Sequence, residues 1–365
     1  MMLRAKTACM KEITIARSKK RAANLRNCQL GRTNLSRLNL TSADLRGANL
    51  SFSNLTNTNL SRAKLSGANL SDVNLTKTTL ANANLSAANL ERSVLSGQNL
   101  SGLNLSLAQL SGAVLNDVFA YMANFSGATM ANVVITKSNF SGSSLNSVDF
   151  RGATVVNSVF SNVDLRASVL QGLYLASVDF RGSDMRNTQL WSSTLSGLYL
   201  NGANLEQANL QSARFLYSCP TALKGANMNY VRLAGLDCTG SDFSGTSMAF
   251  ADLQGTIFLR AKLWSVGFYG ANLKGADFVA ADLSWANLRW VDLSGMDFSG
   301  ANFTSAHLTG AKLEGANFSR VDFTRANLVA SSGWYSTNRY GVCIRSTVLP
   351  TGETASSIPL GVGCR

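Results

Sequence analysis

The chain has 365 residues, 45% of them hydrophobic, with one histidine, three prolines and 15% charged side chains. That apolar content could fill one to three ordinary cores, but a single His and sparse carboxylates leave little for general acid-base catalysis, a His-rich metal site or a Ser-His-Asp triad. The formal charge of +13 suggests a polyanionic partner until it is mapped: residues 1–37 hold ten Lys and Arg against Glu12 alone, and the remainder balances at +4.

Residues 1–22 read as a basic N-terminal arm or cap. Three readings of this Arg/Lys-rich, acid-poor start stay open: an organellar transit peptide, a solvated arm on the first coil, or an artefact of an upstream start codon. No apolar run reaches the roughly 18 to 20 residues that cross a bilayer, so no transmembrane segment and no cleaved export signal is visible.

From Leu25 to Phe215 every fifth residue is large and apolar except Ala120, and a second series runs from Leu223 to Leu328 after a phase shift of three. Of these 61 positions 39 are Leu and 14 are Phe, so nearly all of the chain's 17 Phe serve one repeat position. Two residues earlier stands a small side chain such as Ala43, Ala48 or Ala63, and the residue between is Asn or Asp in 35 of the 61 units. Small, polar, large is the alternation of a strand buried on one face, and the remaining two residues, often Ser-Gly or Ser-Arg, suit a turn. Strands this short cannot stand alone; they must stack into an all-β solenoid whose inward residues form one core. The repeat divides into residues 23–217 and 223–330, with a break at 218–222.

The pentads ANLSG, ADLRG, ADLSW and ANFSR resemble the A(D/N)LXX consensus of the pentapeptide-repeat proteins. That resemblance implies a right-handed quadrilateral β-helix with four pentads per coil, hence about 15 coils for 61 units. The single His and the scarcity of carboxylates not accounted for by the repeat point to a non-enzymatic protein that works by interaction, with no cofactor and no metal. A DNA-mimicking topoisomerase protector is the alternative within the family; those proteins are acidic and shorter, and this body is nearly neutral.

Residues Leu216–Ala222 (LYSCPTA) break the phase near Pro220 and read as an extruded loop or irregular coil. At Val118-Phe119-Ala120 the large residue falls on the outward position, which is read as repeat drift in preference to a bend or a binding loop. Residues 331–365 leave the repeat and read as an irregular C-terminal cap, which the open strand edges of a solenoid require. The six cysteines pair by sequence at spacings of 19, 19 and 21. Residues one coil apart lie about 4.8 Å apart, within disulfide reach. The expected disulfides are Cys219-Cys238 and Cys343-Cys364; Cys9 with Cys28 is disfavoured. The CP…C break and the Cys-containing tail are similar to those of exported bacterial members of the family. Paired cysteines favour export and the lack of a visible signal favours the cytoplasm, so the compartment stays open.

Thirteen of the twenty acids occupy the outward Asn/Asp position and are read as structural, as is the lone His307. The surface constellation that remains is a partner-binding patch: Trp264 and Trp285, following units 20 residues apart, with Tyr269 and Trp290 on the adjacent face and Arg260 and Arg289 interleaved. Outward aromatics beside Arg are the usual anchors of a docking surface. Tyr174, Tyr199, Trp191, Arg166 and Arg186 make a weaker cluster. The leading expectation is an interaction scaffold that docks a protein partner on its outer faces; an exported bacterial effector is an alternative. Nucleic-acid contact through residues 4–37 is a second reading, disfavoured by the near-neutral body.

Overall fold

In the computed structural model, which describes residues 2–18, 22–217, 219 and 223–355, each pentad is a short extended segment followed by a two-residue corner. At the corner the N–H of Thr58 donates to the carbonyl of Leu55 at 2.9 Å, and the residue before it, Asn57, takes a left-handed φ of 57°. Asn, Asp, Ser and Gly reach that region at least cost, which explains their abundance at the last position of the pentad. The outward Asn or Asp completes the corner. Its Oδ1 accepts the N–H of the residue two ahead: Thr56 donates to Asn54 at 3.0 Å, Arg151 to Asp149 at 3.0 Å and Thr239 to Asp237 at 2.9 Å. These Asx bonds account for the preference for Asn or Asp without any role in chemistry.

The chain divides into two units, Met1–Thr188 and Gln189–Arg365. In the first, parallel bridges join residues twenty apart, from Asn24 to Asp44 to Lys64 to Asn84, so four pentads close one coil. Strands β1 (Val114–Asn116), β2 (Val134–Thr136), β3 (Thr154–Val156) and β4 (Tyr174–Ala176) stack in parallel on one face. The inward Leu and Phe are buried, and Phe140 stacks on Phe160 with ring centroids 4.9 Å apart. Some inward hydroxyls are satisfied by the preceding coil: Thr58 Oγ1 donates to the Leu35 carbonyl at 2.8 Å, and Ser138 Oγ to that of Leu115 at 2.7 Å. This is the β-solenoid that the period of five required.

Helix α1 (Met2–Ser18) precedes the first coil. Ile13 is buried, the Glu12 carboxylate accepts the Asn24 N–H at 2.8 Å, and a disulfide joins Cys9 to Cys28 across a Cα separation of 5.9 Å. The sequence reading disfavoured this pair; no repeat precedes Cys9, and the helix supplies the approach instead. At the second anomaly the register runs on undisturbed from Asn99 to Phe119 to Asn139, with Phe119 exposed and Ala120 buried, so the chain drifts in sequence without bending.

In the second unit β5 (Thr194–Ser196) pairs with β6 (Arg214–Leu216) in parallel. The bridges Asn209 to Asn227 and Arg214 to Arg232 then span 18 residues, so of the two readings of this break, an extruded loop or an irregular coil, the register matches a coil two residues short. Cys219 is bonded to Cys238 of the following coil, Cα atoms 5.1 Å apart; residues 218 and 220–222 lie outside the described residues. The twenty-residue register resumes with Asn227 to Ser247. Phe258, Phe278, Phe298 and Phe318 form an inward ladder with centroid steps of 5.0, 5.3 and 5.3 Å.

The consensus stops near residue 330, but the coil does not. Asn317, Asp322 and Asn327 pair with Asn338, Cys343 and Val348, a register of 21 whose extra residue is taken up by the 3-10 turn Trp334–Ser336. Trp334 is buried, packs edge-on against Phe323 at 5.4 Å, and carries the Arg339 guanidinium 5.4 Å from its ring. It closes the aromatic core where the consensus no longer supplies Phe. Cys343 is disulfide-bonded; Cys364, its expected partner, lies outside the described residues.

Candidate interaction surface

The outward chemistry differs between the units. In the first, Asp is repeatedly followed two residues later by Arg, and the two side chains meet across the corner: Asp44 with Arg46 at 2.6 Å, Asp149 with Arg151 at 2.7 Å, Asp164 with Arg166 at 2.8 Å and Asp184 with Arg186 at 2.6 Å. The hydrogen bonds from these guanidinium groups lower the carboxyl pKa values, Asp44 and Asp164 from an ordinary 3.8 to about 2. Because the folded pKa is depressed, the stabilisation is complete above pH 4 and is lost as pH falls toward 2. Acid unfolding should therefore steepen in that window, and an Asp164→Asn variant should lose less stability there than the wild type. The Arg partners are half exposed, so each pair is worth under about 1 kcal/mol.

The second unit places the predicted patch around one of its four faces. Along that face the outward positions are Ser247, Gly267, Asn287, His307 and Asn327, joined coil to coil by parallel bridges and free of Lys, Arg, Asp and Glu. The other faces carry charge at this position: Asp242, Lys262 and Asp282 on one, Arg232 and Asp252 on the next, Asp237 and Asp277 on the last. Both corners that border the uncharged face bear exposed aromatics. Trp264 and Trp285 stand at one, on successive coils but offset by one corner position; Tyr269 and Trp290 stand at the other, all four between 47% and 65% exposed. Trp290 lies over Gly310 of the next coil, where even a Cβ would collide with the ring. Arg289 belongs to this second corner, whereas Arg260 belongs to a corner away from the uncharged face; among the described residues neither is paired with a carboxylate.

Two residues extend the patch that the sequence reading passed over. Tyr230 and Phe250 stack at 5.2 Å, and Phe250 meets Tyr269 edge-on at 5.4 Å, so one corner carries a continuous aromatic ridge. The signal was available: Tyr230, Phe250 and Trp290 share one corner position at multiples of twenty. In the weaker cluster Tyr174, Trp191 and Tyr199 are exposed, and Arg166 and Arg186 are engaged by Asp164 and Asp184. His307 keeps a buried Nδ1 with no hydrogen-bond partner, and among the described residues no group of His, Cys, Asp and Glu could hold a metal. No helix among them is long and apolar enough to cross a membrane.

The family model described as pentapeptide repeats in eight copies matches residues 21–51, 43–80, 53–92, 79–117, 123–162, 158–197, 192–219, 223–260, 257–295 and 297–331, which is most of the chain. The chain belongs to the pentapeptide repeat family. Among solved structures this pentapeptide repeat protein is similar to one from the Arabidopsis thaliana thylakoid lumen, at 27% identity over 26% of this chain and 66% of that one, with a TM-score of 0.26. It is similar to full-length QnrB1, a plasmid-mediated fluoroquinolone resistance protein, at 16% identity over 58% and 85% of the two chains, TM-score 0.23. A third is HetL of the cyanobacterium Nostoc sp., involved in heterocyst differentiation regulation, at 20% identity over 90% and 94%, TM-score 0.12. TM-scores this low carry no argument about function. No curated protein matches the chain.

Proposed function

We propose that this pentapeptide repeat protein is a non-enzymatic scaffold that docks a protein partner on the aromatic corners of its second unit. The observation that carries the reading is the pair of rims, Trp264 and Trp285 on one side and Tyr230, Phe250, Tyr269 and Trp290 on the other, bordering a face without charge. Rigid exposed aromatics bring large contact area at small entropic cost. Duplex mimicry is less well supported, because it needs unpaired acids and Asp44, Asp149 and Asp164 of the first unit are neutralised by Arg two residues on. Affinity capture from the native source with the wild type and with a Trp264→Ala/Trp285→Ala variant tests the proposal. Loss of specific partners from the variant, with unchanged thermal unfolding, is expected; identical recovery by both would remove the patch from consideration.

A further inference from the structure

We infer that the trough between these two rims takes an uncharged, proline-rich segment of the partner in the polyproline II conformation. The inference rests on the protein-docking proposal and narrows the partner's chemistry. Four recognition modes compete for such a surface. Strand addition is closed, because the backbone of this face is already spent between coils: Met248 N–H donates to the Gly267 carbonyl at 2.7 Å, Gly267 N–H to Thr246 at 3.0 Å, and Asn287 N–H to Val266 at 2.8 Å. A docked amphipathic helix needs an apolar floor, and here the floor is Ser247, Gly267 and Asn287. Acidic or phosphorylated motifs and nucleic acids need a floor of cations, and this face has none.

A polyproline II chain fits what is left. It carries no charge of its own, its ring faces pack on aromatic walls, and its carbonyls are free to accept. The walls offer the indole N–H groups of Trp264, Trp285 and Trp290, none with a hydrogen-bond partner among the described residues. The floor offers the Asn287 side-chain amide, whose Oδ1 is held by the Arg289 N–H at 3.3 Å and whose nitrogen is left to donate. Three polyproline II residues advance about 9.3 Å and two coils about 9.6 Å, so the rings that stand one per coil along this corner, Tyr230, Phe250, Tyr269 and Trp290, offer two contacts per turn of such a peptide. Gly267 makes the lowest point of the floor, level with Trp264 and Tyr269 on the same coil.

The test is titration of the full chain with a blocked, uncharged 12-residue peptide of four Pro-Pro-Ala repeats, read by tryptophan emission. A Gly-Ser peptide of equal length and cellohexaose serve as controls. The informative variant is Gly267→Lys. Gly267 is not left-handed, and a Cβ there meets only Ser247 Oγ at 4.0 Å, so the fold tolerates a side chain while the trough gains a charge. The expected result is saturable binding of the proline peptide, weakened about tenfold or more by Gly267→Lys, because an unpaired charge is desolvated on binding. Unchanged thermal unfolding would show that the variant is folded. Three results would overturn the inference: no saturable response to the proline peptide, equal binding of the Gly-Ser peptide, or equal affinity in Gly267→Lys. Binding of cellohexaose in place of the peptide would also overturn it and assign the trough to a neutral glycan. If the peptide fails while Trp264→Ala/Trp285→Ala still abolishes protein capture, the docking proposal stands and only the polyproline assignment falls.

Discussion

Replacing Phe278 with Ala should destabilise the second unit by about 3–5 kcal/mol, the cost of deleting a buried aromatic together with the cavity it leaves. Phe278 is fully buried, stacked between Phe258 at 5.0 Å and Phe298 at 5.3 Å, with Phe268 edge-on at 6.1 Å. Neighbouring rings cannot collapse into the space, because each is fixed to its own coil by backbone bonds above and below. In a solenoid each coil contacts only its neighbours, so the loss should remain local. Hydrogen exchange should accelerate for residues of the coils around Phe278, while amides near Phe140 and Phe160 in the first unit keep their protection. A uniform acceleration over both units would instead show that the solenoid unfolds as one cooperative block.

The second large effect is expected at Gly333, which introduces the 3-10 turn with φ 71°. A Cβ there would approach the Glu314 backbone N at 2.5 Å and Cα at 2.7 Å, atoms that cannot rotate away. Left-handed strain and overpacking together put the cost of Gly333→Ala at about 3 kcal/mol. The loss should appear as undocking of Trp334, hence a red shift of its emission and a lower unfolding midpoint. Gly315→Ala is the matched control: φ is 67°, but no atom lies within 4 Å of the added Cβ. It should cost only the backbone term, about 1 kcal/mol. Equal effects at the two sites would mean that the close approach to Glu314 contributes nothing to the cap.

Strict spacing made most of the fold legible, because a period of five with small, polar, large alternation admits little besides stacked short strands. Twenty residues per coil were not in that period; they came through the family resemblance and appear in bridges such as Asn24 to Asp44. Reading failed where backbone pairing outlasts side-chain consensus. The coil of 18 around Leu216 and the coil of 21 ending at Val348 keep their ladders with few consensus residues, since parallel pairing uses main-chain groups that any residue supplies. Cys9 was misjudged because its approach to Cys28 comes from a helix with no counterpart in the repeat. The patch was half legible: Trp264, Tyr269, Trp285 and Trp290 stood out as aromatics among small polar neighbours. Tyr230, Phe250 and the uncharged face emerge only when outward positions are sorted by twenties, which turns a linear list into columns.

A partner held by aromatic rims over an uncharged face should be nearly indifferent to salt, since the Debye length shrinks from about 8 Å at 0.15 M to about 3 Å at 1 M and apolar contact is not screened. A partner held by the basic residues near the N-terminus, such as Lys11, Arg26, Arg32 and Arg37, should be released over the same range. The decisive measurement is therefore affinity capture with the wild-type protein at 0.15 M and 1 M NaCl, beside the Trp264→Ala/Trp285→Ala variant at both. Docking on the second unit predicts recovery that survives 1 M salt and disappears with the two tryptophans. Recovery that collapses in high salt and ignores the tryptophan substitutions would contradict it.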